Sequence, residues 1–244
     1  MTLTYYNQKM ILLRKFLPQK ALKLIRRYLT GILTPFSFAI NSGHFKSSLL
    51  ERAVDKRGNS IPWLTYPAID FLNGKDLSQS TVLEFGGGQS TLFFSQKAKK
   101  VITFEGDQDW ANFILDNPGN KSDINIVTSL GAETQIAEIR KTLHEKKFAG
   151  QIFDIVVIDA LQREAITEFI MEMVPENGLM IFDNSESYPL NATTISKLTQ
   201  HGFMRIDLYG HSPGVINKQC TSLFFKAECS YMRCDQDIFD LASV

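Results

Sequence analysis

The feature that most constrains this chain is the regular alternation of short apolar runs with helix-like segments between Trp63 and residue 227. The apolar runs are TVLEF, KVITF, INIVT, FDIVVID and GLMIFD. The amphipathic segments that separate them cover 90–98, 108–116, 132–147 and 162–174. Apolar strands that alternate with helices are typical of a parallel sheet with helices on both faces. The pattern therefore predicts a doubly wound α/β fold.

The end of the chain predicts a different strand arrangement. After a helix near 192–201, two strand-like runs, FMRIDLY and CTSLFFKA, are separated by the segment GHSPGVINKQ. This segment is too short for a crossover helix, so the two strands should be antiparallel. The complete pattern predicts a Rossmann-like, seven-stranded sheet that is mostly parallel with an antiparallel last strand, preceded by a short helix at 66–72 and an N-terminal helical arm.

The first 60 residues are predicted to form a basic helical arm and lid, separate from a domain at 61–244. Residues 1–50 carry eight Lys/Arg and no acid, although the formal net charge of the whole chain is zero. Apolar residues recur at helical spacing over 8–29 with a break at Pro18, and 31–60 are predicted to be irregular. Packing of the arm on its own domain, contact with an anionic lipid surface and contact with a partner or second copy all stay open.

Cysteine usage and apolar run lengths predict a reduced, cytoplasmic setting, with a peripheral membrane position as the alternative. Cys220, Cys229 and Cys234 fit neither a disulfide framework nor a common zinc pattern. Basic residues interrupt the apolar runs near the start, so a secretory signal is not expected. The stretch GILTPFSFAI is far shorter than the roughly 20 residues that a membrane-spanning helix needs.

The turn after the first apolar run is the strongest indication of a ligand site. Three glycines at 86–88 follow this strand directly, at the edge of the sheet where ligands bind in such folds. Glu105 ends the second strand nineteen residues after Gly86, where a carboxylate can accept hydrogen bonds from both hydroxyls of a ribose. Thr91 replaces the third glycine of a dinucleotide fingerprint, and Glu84 would repel a pyrophosphate. The turn therefore predicts an adenosine-bearing ligand that also carries positive charge.

These residues resemble the motifs of the class I S-adenosylmethionine (SAM)-dependent methyltransferases, over about residues 63–227. The segment Glu84-Phe85-Gly86-Gly87-Gly88 is similar to their glycine-rich first motif, and FDIVVIDA and ENGLMIFDN are similar to their fourth and fifth strands. The resemblance implies SAM as the cofactor. The implied cofactor contacts are Glu84, Phe85, Gly86, Gly87, Gly88, Ser90, Thr91, Glu105, Gly106, Trp110, Ser129, Leu130 and Asp159.

The resemblance also implies separate roles for these contacts. Glu84 would hold the amino group of the methionine end through water, and Ser90 and Thr91 would bind its carboxylate at the start of a helix. Glu105 would bind the ribose. Ser129 and Leu130 would lie beside the adenine. For Trp110, packing near the ribose and packing in the core both stay open.

The same resemblance places polar side chains at the ends of the fourth and fifth strands. Asp159, Asp183 and Asn184 match the positions at which metal-dependent O-methyltransferases of the catechol and caffeoyl-CoA type carry Asp and then Asp-Asn. These oxygen ligands are the type that Mg²⁺ prefers, and a bound cation would lower the pKa of an acceptor hydroxyl. A functional metal site and a metal-free pocket lined by the same acids stay open as interpretations.

Asp159 and His211 are the predicted catalytic residues. His211 follows the sixth strand on the side of the expected active site, where an imidazole could transfer a proton, although a purely structural loop histidine is the alternative. Trp63, Tyr66 and Tyr188 are predicted to contact the substrate. A small-molecule or glycan-like acceptor is expected, with methylation most readily directed at oxygen.

Three other functions stay open from the sequence. An aminopropyltransferase similar to spermidine synthase shares the fold and the GGG turn, but Gln89 stands where that group carries an acid. A non-catalytic binding or scaffold protein would also keep the fold. A nucleic-acid methyltransferase could use the basic arm, although the acidic body and the lack of an Asn-Pro-Pro-Tyr-type motif argue against it.

Overall fold

The computed structural model of the chain describes residues 18–126, 132–144, 148 and 150–233. Within these residues one sheet has the strand order 3-2-1-4-5-7-6. Its strands are β1 (Thr81–Phe85), β2 (Lys100–Glu105), β3 (Asp123–Ile126), β4 (Ile155–Ile158), β5 (Leu179–Phe182), β6 (Met204–His211) and β7 (Lys218–Phe225). Strands β1 to β5 are parallel, and β7 is antiparallel to both β5 and β6. The predicted Rossmann-like sheet is confirmed.

Helices precede the sheet and connect its strands. They are α1 (Gln19–Asn41), α2 (His44–Leu50), α3 (Tyr66–Asn73), α4 (Gln89–Lys97), α5 (Gln108–Leu115), α6 (Ala132–His144), α7 (Arg163–Ile170) and α8 (Ala192–Gln200). The helices between strands agree with the predicted segments, except that 162–174 divides into α7 and a 3₁₀ turn at Met171–Met173. Residues 145–147 of the predicted segment 132–147 lie outside the described residues.

The core lies on both faces of the sheet, as a central parallel strand requires. All five residues of β1 are buried. Leu83 and Phe85 pack with Ile102 and Val156 in one apolar cluster, whereas Val82 packs in the cluster on the opposite face. Alternating side chains of one strand therefore fill two separate cores, which is why the run reads as continuously apolar rather than alternating.

The N-terminal region is more helical than predicted. Residues 31–60 were expected to be irregular, but α1 continues through Pro35 to Asn41 and α2 follows the turn at Gly43. A proline removes one backbone donor, and the helix continues past it to Phe38, which contacts the rings of His44 and Tyr66 in the domain. The helix begins directly after Pro18, as expected, and the predicted helical stretch before it lies outside the described residues.

The predicted exposed turn between α2 and α3 is present. Asp55 Oδ1 accepts hydrogen bonds from the backbone N–H groups of Arg57, Gly58 and Asn59, at 2.7–2.8 Å. Ala53, just before this turn, is fully buried in the core beside the sheet. The division of the chain at residue 60 stays a prediction. Among the described helices, none combines the length and the apolar character needed to cross a bilayer.

Candidate functional site

A cleft of about 760 Å³ opens at the carboxyl ends of β1 and β4. These strands are neighbours at the point where the strand order reverses, which is where open α/β sheets bind ligands. The cleft is lined by most of the predicted site residues: Trp63, Phe85, Gly86, Gly87, Gly88, Ser90, Glu105, Gly106, Trp110, Asp159, Asn184 and Tyr188. The structure therefore brings together residues that are up to 125 positions apart in the chain.

The three glycines have different physical roles in the turn. Gly86 has a φ of +88°, and a Cβ at this position would lie 2.2 Å from the backbone oxygen of Asp159. A Cβ at Gly87 would lie 2.8 Å from the Ile114 side chain. At Gly88 a Cβ would meet only the ring of Trp110, at 3.9 Å. The first two glycines therefore allow close packing, and the third keeps the cleft open beside Trp110.

Gly86→Ala is expected to lower the free energy of unfolding far more than Gly202→Ala. Both glycines have positive φ values, +88° and +79°, so each alanine carries a left-handed backbone cost of about 1–2 kcal/mol. Only at residue 86 would the Cβ collide with a backbone oxygen, because nothing lies within 4 Å at residue 202. The collision should raise the loss to about 3 kcal/mol or more in urea unfolding. Equal losses would contradict the close packing of the turn.

Glu105 is held at the wall of the cleft by backbone donors. Its Oε1 accepts a hydrogen bond from the Asp107 N–H at 2.7 Å, and its Oε2 accepts one from the Gly87 N–H. Burial raises the pKa of Glu105, against the lowering effect of these backbone donors. A carboxylate has about four acceptor positions, so two remain for hydroxyl donors in the cleft. The geometry suits the predicted contact with a ribose.

Glu84 lies below the turn, fully buried, and does not line the cleft. Its Oε2 accepts hydrogen bonds from the hydroxyls of Thr91, at 2.5 Å, and Thr103, at 2.9 Å. Within the described residues its Oε1 has no hydrogen-bond partner. Burial raises the pKa of Glu84 to about 7. Glu84 therefore offers one unsatisfied, buried acceptor beneath the glycine turn.

Thr91 was predicted to bind the carboxylate of a ligand, and the structure places it elsewhere. Its hydroxyl accepts a hydrogen bond from the Gly88 N–H at 3.0 Å and donates to Glu84. The side chain is fully buried and does not reach the cleft. Thr91 consequently supports the turn from below, whereas the adjacent Ser90 lines the cleft at the start of α4.

The ends of β4 and β5 are joined by a buried guanidinium, that of Arg163. Its Nη2 donates to Asp159 Oδ1 at 2.5 Å and to Asn184 Oδ1 at 3.0 Å. Its Nε donates to the Asp183 carbonyl at 3.0 Å, and its Nη1 to the Ala160 carbonyl at 2.5 Å. Arg163 was not predicted as a site residue. The sequence carried no specific signal for this contact, because Asp159 lies in the loop before α7 and the pairing rule for a spacing of four residues applies within a helix.

The three predicted metal ligands do not fit a divalent cation. Arg163 already bonds Asp159 and Asn184, while the Asp183 carboxyl is buried and accepts from the Thr221 hydroxyl at 2.6 Å. Burial, and then the charge of Asp159, raise the pKa of Asp183 to about 8, so this carboxyl holds a proton at neutral pH. The oxygen set instead fits a guanidinium.

Two other predicted site residues lie away from the cleft lining. His211, at the end of β6, packs edge-on against His44 with ring centres 6.2 Å apart. Tyr66 is buried and contacts the ring of Phe38 at 5.2 Å. The physical reason is that α1, longer than expected, brings Phe38 onto this part of the domain. Neither the predicted catalytic role of His211 nor the predicted substrate contact of Tyr66 is supported by this placement.

The remaining predicted residues divide between the cleft and the part of the chain outside the described residues. Trp110 lines the cleft and is 37% exposed, so the interpretation of this residue as a core side chain is wrong. Trp63 and Tyr188 also line the cleft, as predicted for substrate contacts. Ser129 and Leu130 lie outside the described residues.

Several residues of the cleft were missed by sequence reasoning. They come from β2, from loops that follow strands and from the helices α4, α6 and α7: Gln89, Phe104, Asp107, Ile139, Ala160, Leu161, Gln162, Arg163 and Ile166. Leu161 could have been predicted from the sequence, because it is an apolar residue in a polar loop directly after a strand. Such a side chain has no core to pack in and stays exposed at the strand end. The helix residues carried no signal beyond ordinary amphipathic spacing.

Stability is expected to fall as the pH rises toward about 8, because of Glu84 and Asp183. Burial raises their pKa values to about 7 and about 8, so both carboxyls hold protons in the folded state that the unfolded chain releases near pH 4. The contribution of these two carboxyls to the free energy of unfolding is complete below about pH 4. It is lost as the pH rises through the folded pKa values, by about 1 kcal/mol for each pH unit and each group. Urea unfolding from about pH 5 to about pH 8 should show this decline. Asp183→Asn should flatten it, and an unchanged slope would contradict the assignment.

Solved structures share this fold at low sequence identity. Cofactor-bound Rv0187 from MTB is 16% identical, with a TM-score of 0.52 over 80% of this chain and 96% of that chain. A methyltransferase from Pyrococcus furiosus is 12% identical (TM-score 0.47, 80% and 98% covered), and precorrin-6y C5,15-methyltransferase from Geobacter metallireducens is 13% identical (TM-score 0.46, 66% and 87% covered). No family model and no curated protein matches the chain. The likeness concerns the fold alone, a Rossmann-like sheet of seven strands flanked by helices.

Proposed function

We propose that this protein is a SAM-dependent methyltransferase that acts on a small-molecule or glycan-like acceptor and transfers the methyl group to oxygen. The observation that carries the proposal is the cleft at the ends of β1 and β4, in which the glycine turn at 86–88 faces Glu105. This arrangement provides backbone close to the ligand and a fixed carboxylate for a ribose. The fold supports the same class of reaction.

The adenosine end of SAM is assigned to Glu105 and Trp110. Glu105 retains free acceptor positions after its two backbone hydrogen bonds, and both ribose hydroxyls can donate to them. The ring of Trp110 stands across the space that the missing side chain of Gly88 leaves. Trp110 and Glu105 therefore both border the part of the cleft that is assigned to the ribose and its base.

The methionine end is assigned to the start of α4 and to Glu84. Gln89 and Ser90 line the cleft in the first turn of this helix, where unpaired backbone N–H groups and the helix dipole favour a carboxylate. Burial favours the neutral form of Glu84 in the free protein, but an ammonium group linked to its unpartnered Oε1 through water would favour the ionised form. Decarboxylated SAM lacks the carboxylate, so this site favours methyl transfer over aminopropyl transfer.

The acceptor is assigned to the end of β4. The Asp159 side chain is 33% exposed in the cleft, and its pairing with Arg163 keeps it oriented. An acceptor hydroxyl that donates to Asp159 would pass its proton to this carboxylate as the methyl leaves the sulfonium, which becomes a thioether. Positioning supplies much of the rate of such an in-line displacement. Trp63 and Tyr188 provide aromatic walls for the acceptor.

The test is calorimetric titration of the full chain with S-adenosylhomocysteine, with either Mg²⁺ or EDTA present. We expect a dissociation constant on the order of micromolar, equivalent to about −8 kcal/mol. The affinity should be the same under both conditions, because Arg163 occupies the oxygen set. Absence of binding would overturn the methyltransferase proposal. Binding that needs Mg²⁺ would overturn the assignment of Arg163 while keeping the cofactor.

A further inference from the structure

Helix α1 (Gln19–Asn41) carries its basic residues on one side and most of its large apolar residues on the other, with Phe38 as the exception on the basic side. At 100° per residue, one half of its circumference carries the large apolar side chains Leu24, Tyr28, Ile32, Leu33, Phe36 and Ile40. The other half carries its cations, Lys20, Lys23, Arg26 and Arg27. The helix contains no acidic residue, and none occurs before Glu51. A broad apolar face beside a purely basic face is typical of helices that lie in a membrane interface.

The apolar face of α1 is open in the structure. Its six large apolar side chains are each between 45% and 65% exposed, and Leu22 is the buried residue of this helix. Near its carboxyl end Phe38 contacts Tyr66 and His44, which attaches the helix to the domain. Apolar area on this scale marks an interaction surface, because a soluble monomer rarely leaves so many large apolar side chains together in water.

We propose that α1 binds the surface of an anionic lipid bilayer, with its apolar face in the acyl boundary and its lysines and arginines at the headgroups. The binding does not depend on the proposed methyltransferase activity. A helix of 23 residues is about 34 Å long, and the exposed side chains of this face extend from Leu24 to Ile40, although Leu22 is buried and Ile25 and Leu29 are half-buried. It lies on the membrane rather than across it, as the lack of a spanning helix among the described ones requires.

Charge favours a bilayer over a second copy of the chain. In a symmetric dimer through the apolar face of α1, the cations of each copy would lie on the outer sides of the pair, where they find no acid on the partner helix and add nothing to the association. Anionic lipid instead attracts each of these cations. Residues 51–244 carry 18 Lys/Arg and 26 Asp/Glu, so an anionic surface repels the body of the protein and, among the described elements, favours contact through α1.

The experiment is sedimentation of the full chain with vesicles of phosphatidylcholine alone and of phosphatidylcholine mixed equally with phosphatidylglycerol. We expect the protein to sediment with the anionic vesicles and to remain largely in solution with the neutral ones. Raising the ionic strength to about 1 M should release it, because the screening length falls to about 3 Å. Protein that stays in solution with the anionic vesicles overturns the proposal.

Two variants and one control assign the binding to the faces of α1. Ile32→Ser with Phe36→Ser should weaken the partitioning by about 100-fold, from the loss of two buried apolar side chains. Lys23→Gln with Arg27→Gln should weaken it by about 30-fold on anionic vesicles alone. The control, Ile206→Ser with Ile216→Ser, removes two exposed isoleucines of the β6–β7 region and should change nothing.

The other possible occupants of this face give different results. A dimer in analytical ultracentrifugation that the Ile32/Phe36 variant dissociates would assign the face to a second copy and overturn the proposal. If the Ile32/Phe36 variant still binds anionic vesicles, the binding belongs to another surface of the protein. This result would also overturn the proposal. Both residues are exposed, so the variant should remain folded, which its far-ultraviolet circular dichroism and unfolding midpoint will verify.

Discussion

Glu105→Ala is expected to weaken S-adenosylhomocysteine binding by about 100-fold or more. In the proposed complex this carboxylate accepts from both ribose hydroxyls, and hydrogen bonds to a charged group contribute about 1.5–3 kcal/mol each. The substitution also removes the acceptor of the Gly87 N–H, so the glycine turn loses a contact that holds it in place. The affinity is measured by calorimetric titration of the folded variant.

Two further variants separate these effects of Glu105. Glu105→Gln keeps an acceptor oxygen at nearly the same volume and should lose less affinity than the alanine variant. Asp109→Ala removes an equally negative side chain from α5 that does not line the cleft, and should leave the affinity unchanged. Full affinity in Glu105→Ala would show that the ligand does not use this carboxylate.

Arg163→Met is expected to lower the free energy of unfolding by about 3–5 kcal/mol. The guanidinium is buried and donates to a carboxylate, an amide oxygen and two carbonyls, so its removal leaves the Asp159 charge and several acceptors unsatisfied. Methionine fills a similar volume, which limits the loss of packing. Urea denaturation at neutral pH measures the change.

The comparison for this variant is Lys197→Met. Lys197 pairs with Glu168 at 2.9 Å, but both side chains are largely exposed, so the expected loss is below about 1 kcal/mol. Adding Asp159→Asn to Arg163→Met should recover part of the stability, because it removes the uncompensated charge. Similar losses in Arg163→Met and Lys197→Met would contradict a central role for the guanidinium in joining β4 and β5.

The order and type of the elements after residue 63 follow from the sequence because they depend on neighbouring residues. The run TVLEF is apolar throughout, and β1 is indeed buried on both faces. The GHSPGVINKQ segment is too short for a crossover, and β6 and β7 are antiparallel. The glycine turn and Glu105 were also predictable as a pair, because the parallel sheet places the ends of β1 and β2 side by side.

The predictions that failed depend on groups distant in the chain. Helix α1 continues through Pro35, which local rules treat as a break. Thr91 bonds to Glu84 inside the domain, although a hydroxyl at the start of a helix equally suits a ligand. His211 meets His44 because α1 and α2 lie against the end of β6. In each case a contact between separate elements decided where the side chain points.

The sequence by itself determined the doubly wound sheet, the place of the cleft and the residues of the glycine turn, since strand periodicity and turn chemistry are encoded over a few consecutive residues. Only the tertiary structure decided which cation joins the acids at the ends of β4 and β5. Asp159, Asp183 and Asn184 are side chains of the types that form a metal site. No local sequence pattern distinguishes such a metal site from a site that binds a guanidinium. The difference arises because α7 begins where the Arg163 side chain reaches across both strand ends, and because burial leaves Asp183 protonated.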